Sequence, residues 1–91
     1  MIITRPYDCT DNAINKEQIQ IAKHWASRNN EVITELKVYE YAVHVFTESG
    51  RHLRINLSDG QNGRTMRVRQ HTYMHEILAT GKQVRIKKEN W

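Results

Sequence analysis

Cysteine, proline and glycine are scarce in this chain, and each scarcity removes a class of protein. Of 91 residues, one is Cys, one is Pro and four are Gly. A single Cys excludes an internal disulfide and any zinc site built on several thiolates, and it points to a reducing, cytoplasmic setting. So few Gly and Pro exclude collagen-like and low-complexity chains. Long hydrophobic runs are missing as well. No apolar run exceeds three residues, where a transmembrane helix needs roughly 20 and a signal-peptide core ~7–15. The expectation is a protein with no membrane partner. No segment repeats and none has the composition of a linker, so residues 1–91 read as a single domain. The hydrophobic content of 38% supports one modest core and is too high for a disordered tail.

Charge is present in quantity and is unevenly placed. The net charge is +4. Residues 1–50 carry five Lys or Arg against seven Asp or Glu, a net of −2, whereas residues 51–91 carry nine against three, a net of +6. Such asymmetry suits a polyanionic partner or an acidic protein surface.

The first strong local pattern is helical. Met1 to Thr4 has the composition of a short strand, and Asp8 to Asn12 that of a turn. Asn15 with Gln18 three residues later matches a capping box, and Ile14 with Ile19 matches a hydrophobic staple. Ile21, Ala22, Trp25 and Ala26 then give one apolar helical face, and Asn29-Asn30 suits the helix end.

From Val32 the period changes to two. The stretch Leu36–Thr47 is long for one regular strand, and a bulge or break near Glu40 puts Leu36, Val38, Tyr41, Val43 and Val45 on one side. Glu48–Arg51 reads as a hairpin turn, His52–Leu57 as a cleanly alternating strand, Ser58–Gly63 as a loop, and Arg64–Gln70 as another strand. Thr72–Ala79 reads as a short second helix with Tyr73 or Met74, Ile77 and Leu78 on its apolar side and Gly81 as its stop. Lys82–Lys88 reads as a last strand with Val84 and Ile86 inward. The fold class expected is α+β: an N-terminal helix and a short second helix on one face of a largely antiparallel sheet of four or five strands.

Alternation then separates two sets of side chains. Leu36, Val38, Tyr41, Val43, Val45, Leu53, Ile55, Leu57, Met66, Val68, Val84 and Ile86 form the inner set. His44, Phe46, His52, Arg54, Arg67, Arg69, Arg85 and Lys87, with Tyr39 nearby, form the outer one. Arginine binds phosphate bidentately and stacks on bases, and rings on an open sheet stack unpaired bases at ~1–3 kcal/mol each. The expected binding residues are Tyr39, Phe46, His52, Arg54, Arg64, Arg67, Arg69, Lys82, Arg85, Lys87 and Lys88. RNA or a single strand suits them better than duplex DNA, because no helix carries the arginines of a major-groove reader.

Other readings remain open on the sequence. The face could be solvated, with Phe46 covered by a second copy or by the N-terminal arm. An edge strand at 82–88 could pair with another copy to give a homodimer. A small interaction module of the kind encoded by phages and mobile elements could use the arginines, or the acidic N-terminal half, to block a host enzyme. His52, Arg54, Arg67, Arg69 and Arg85 could also serve metal-free RNA cleavage of toxin type. No catalytic set is specified, and the chain reads as a binder rather than an enzyme. His71 and His75 lie four apart but lack the Glu of a zincin motif. Asp59–Arg64 lacks the Lys-Ser/Thr of a P-loop, and Cys9 sits between acidic residues that disfavour a thiolate. No metal and no cofactor is expected.

Overall fold

The change of period near residue 32 is the boundary between a helix and a sheet. A computed structural model describes residues 1–6, 13–57 and 72–91. Strand β1 (Ile2–Thr4) precedes helix α1 (Ala13–Arg28), and five strands follow: β2 (Ile33–Val38), β3 (Ala42–Thr47), β4 (His52–Leu57), β5 (Thr72–Ile77) and β6 (Gln83–Ile86). A single turn of 3-10 helix spans Lys88–Asn90. The sheet order is β1-β2-β3-β4-β5-β6, identical to chain order. β1 pairs parallel with β2 across the α1 crossover, and every later pair is antiparallel.

The α+β class is therefore as expected, with three differences in detail. The described residues form six strands rather than four or five, and the sheet, expected to be largely antiparallel, is mixed, with β1 parallel to β2 and the other four pairs antiparallel. The second helix is instead β5. Thr72 and Met74 are buried on one side, while Tyr73 and His75 are half-exposed on the other, a period of two. Six residues with Thr, Tyr and Ile among them fit a pleated surface, and pairing with both β4 and β6 satisfies their backbone groups on either side. Gly81, at φ +88, serves a β5–β6 turn closed by Leu78 and Lys82, not a helix end. The Arg64–Gln70 strand, with Met66 and Val68, lies outside the described residues.

Helix α1 begins two residues before the expected cap. Asn15 and Gln18 are inside it, fully buried, and their side chains reach the sheet. Asn15 Nδ2 donates to the Tyr39 carbonyl at 2.8 Å, and Gln18 Nε2 donates to the Tyr41 carbonyl at 2.8 Å. The pair thus satisfies carbonyls of the β2–β3 connection, where a turn would otherwise leave them unpaired beneath the helix. The C-terminal end is as the sequence indicated. Asn30 is left-handed at φ 54, Asn29 Nδ2 caps the Trp25 carbonyl, and the Glu31 amide bonds the Ala26 carbonyl.

The break near Glu40 is a complete reversal rather than a bulge. It makes Leu36, Val38, Val43 and Val45 fully buried partners on one face of a hairpin. Tyr41 lies in the turn and is exposed, so it leaves the inner set. Leu53, Ile55 and Met74 continue the layer, and Ile21, Ala22, Trp25 and Ala26 cover it from α1. Burying each of these large aliphatic side chains contributes ~1.5–3 kcal/mol. Ile86 packs at the margin, whereas Val84 is 44% exposed because α1 does not extend over β6. Trp91 completes the core: it is buried, its Nε1 donates to the Ile86 carbonyl, and its own carbonyl accepts from Arg28 Nη1 at 2.6 Å. Among the described residues, no helix is long and apolar enough to cross a membrane.

Candidate nucleic-acid interface

With one sheet face against α1, the alternate side chains of the same strands make a second surface. Register decides which of them meet. Lys37 on β2 is opposite His44 on β3, and His44 is opposite Arg54 on β4. Arg54 is opposite His75 on β5, and His75 is opposite Arg85 on β6. One straight row thus runs Lys37–His44–Arg54–His75–Arg85 across five strands. At ~4.8 Å between strands the row is about 19 Å long, with permanent cations at every second place.

Aromatic rings flank this row. Phe46 and His52 are opposite each other and stack, with centroids 4.4 Å apart and planes 20° apart. Lys37 Nζ lies 5.3 Å from the Phe46 ring, and Tyr39 meets His44 edge to face at 5.3 Å. At the other end, the Arg85 guanidinium lies 4.5 Å from the centre of the Tyr73 ring. These cation–π contacts hold the charged ends against the sheet, which reduces the rotamer freedom lost when an anion arrives.

Burial first, and neighbouring cations second, hold the three imidazoles neutral. His44 Nδ1 and His52 Nε2 share a hydrogen bond of 2.8 Å, so one ring donates and the other accepts. Burial pushes the His44 pKa down to about 4, and the nearby His52, Arg54 and Lys37 reinforce the shift. His52 is lowered by burial and by Lys37 and Arg54. His75 is lowered by burial and by the guanidiniums of Arg54 and Arg85. Arg54 Nη2 donates to Gln83 Oε1 at 2.8 Å, but neither Arg54 Nε nor His75 Nδ1 has a hydrogen-bond partner. At neutral pH the row therefore presents fixed positive charge, which suits phosphate oxygens.

Of the expected binding residues, Tyr39, Phe46, His52, Arg54 and Arg85 are brought together on this face. Lys82 is exposed in the β5–β6 turn, and Lys87 and Lys88 follow β6. Arg85, Lys87, Lys88 and Glu89 line an open groove of about 570 Å³. Arg64, Arg67 and Arg69 lie outside the described residues, as does His71. With His75 on a strand, the helical His pair does not form. Among the described residues, no cluster of three or more metal-ligating side chains occurs. Lys37, Tyr73, His75 and Gln83 join the face without having been expected there. Lys37 could have been found from its position between the inward Leu36 and Val38. Gln83 could have been found in the same way, beside the inward Val84, whereas Tyr73 and His75 depend on reading β5 as a strand.

Comparison with protein-family models, with curated proteins and with solved structures finds no match.

Proposed function

We propose that the outer sheet face binds single-stranded nucleic acid, RNA above all, without chemistry on the strand, in a reducing cytoplasmic setting. The observation that supports this reading is the registered row Lys37–His44–Arg54–His75–Arg85 with its flanking rings. Phosphates of a strand laid across the β-strands meet Lys37, Arg54 and Arg85, and unpaired bases stack on Phe46 or Tyr39. A broad open sheet face suits a splayed single strand better than a duplex, whose grooves admit a helix or a narrow ribbon. Lys82, Lys87 and Lys88 extend the same charge beyond β6.

The test is fluorescence anisotropy with labelled single-stranded RNA and DNA at several salt concentrations. Wild type binds in the micromolar range or tighter. Three phosphate contacts on a single strand give a log–log salt slope of about −2. The Lys37→Ala/Arg54→Ala/Arg85→Ala variant, still folded by circular dichroism, binds at least about tenfold more weakly. Absence of binding, or binding indifferent to the triple substitution, overturns the reading and leaves an acidic protein as the partner to be sought for this face.

A further inference from the structure

The row alternates permanent cations with imidazoles, and the imidazoles are not equivalent. His44 and His52 satisfy each other through their shared hydrogen bond. His75 has no such partner. It sits directly between Arg54 of β4 and Arg85 of β6, and its Nδ1 is turned into the sheet, buried and without a hydrogen-bond partner among the described residues. Gln83 of β6 engages Arg54 rather than His75. Tyr73, on the same side of β5, is covered by Arg85. The nearest carboxylate on β5, Glu76, points to the opposite side and is taken up by Arg51. Every charged group that faces His75 among the described residues is therefore a guanidinium.

We propose that a phosphate group of the bound strand sits over His75 between Arg54 and Arg85, and that His75 takes up one proton as it binds. The inference rests on the nucleic-acid reading above and adds to it a particular phosphate site with its own pH dependence. Without an anion, a proton on His75 is opposed by burial and, from both sides, by Arg54 and Arg85. A phosphodiester placed there offsets both guanidiniums and accepts a hydrogen bond from the imidazolium, so the balance reverses. Binding and protonation then favour each other by thermodynamic linkage. At the neighbouring His44 the same proton would sit in a more buried place and beside His52, Arg54 and Lys37, so the site of uptake is His75.

A uridine oligoribonucleotide is the probe, because its own charge is constant between pH 6 and 7.5. Calorimetry in two buffers of different ionisation enthalpy reads the protons taken up. Wild type takes up about one proton near pH 6.5 and binds roughly tenfold more tightly at pH 6 than at pH 7.5. His75→Gln flattens that dependence to within about twofold, and His75→Lys, with a permanent charge, is equally insensitive. His24→Gln, exposed on α1, retains the wild-type dependence. Proton uptake that persists in His75→Gln places the proton elsewhere and overturns the inference, as does pH-independent binding by wild type. Both of these results leave RNA binding intact. If wild type binds no oligonucleotide at either pH, the nucleic-acid reading itself fails and the inference falls with it.

Discussion

The two faces of one sheet obey opposite rules. On the inner face, Leu36, Val38, Val43, Val45, Leu53, Ile55 and Met74 are excluded from water, and α1 closes over them. On the outer face, one residue away along the same strands, Lys37, Arg54 and Arg85 are held beside three imidazoles. The inner face supplies stability. The outer face holds repelling charges in register, and stability alone gives no reason for that. The cations recur on every second strand with a neutral imidazole between them, and the inner core fixes the strands that hold them there.

The sharpest way to break this comparison is to substitute adjacent residues of β4. Leu53→Ala removes a fully buried side chain and costs about 3 kcal/mol, whereas Arg54→Ala changes stability by less than about 1 kcal/mol. Urea unfolding of the two variants measures both. Similar losses would mean that the outer face is structural.

Acid sharpens the comparison, because the outer face titrates where the inner one does not. His44 is held down to about 4 against an ordinary 6.5. Below pH 6.5 the unfolded chain therefore binds a proton that the folded chain refuses. Stability falls as pH drops from 6.5 towards about 4, by on the order of 2 kcal/mol from this group. His44→Gln reduces that loss in thermal melts taken across the range. Glu76 adds a separate effect. Its hydrogen bonds to Arg51 hold its carboxyl below the usual 4.5, so its contribution is present above that value and is lost at lower pH.

The smallest expected effect tests the border between the faces. Arg51 lies at the β3–β4 turn, 5.0 Å from the centre of the Trp25 ring. It bonds both carboxyl oxygens of Glu76, at 3.0 and 2.7 Å, and Glu31 at 3.2 Å. Ser49 donates to the other oxygen of Glu31 and is the first cause of that group's lowered pKa, with Arg51 second to it among the favourable contacts. Arg51 is partly exposed, so screening limits its ion pairs, and Arg51→Ala costs about 1 kcal/mol. High salt shrinks the difference between Arg51→Ala and wild type, and a denaturation series in salt reads it.

Much of this contrast is legible in the sequence where a local rule acts alone. His52–Leu57 alternates cleanly and forms β4 with the expected bounds. Glu48–Arg51 makes the expected turn, with Gly50 at φ +93. The errors arise where two rules compete. Tyr73, Met74, Ile77 and Leu78 fit helical spacing, and only pairing with β4 and β6 selects the strand. Tyr39-Glu40-Tyr41 contains no Gly, Pro or Asn, so the reversal there reads as a bulge. Its carbonyls are satisfied by Asn15 and Gln18, 24 and 23 residues away, and those two residues resemble a cap when read locally. The Glu31–Arg51–Glu76 bridge spans three separate segments and leaves no local mark. The place of His75 between two arginines depends on the registers of β4, β5 and β6, and no sequence period reports that.

The identity of sheet order and chain order also bears on time. Hairpins β2–β3 and β3–β4 close over short turns, so little loop entropy is lost before their contacts form. The β4–β5 pair must close the longer connection between Leu57 and Thr72. The parallel pair, in which Ile3 meets Leu36, must wait for the helix to lie across the sheet. Loop entropy alone thus favours the two hairpins that share β3, and those hairpins by themselves place Lys37, His44 and Arg54 side by side.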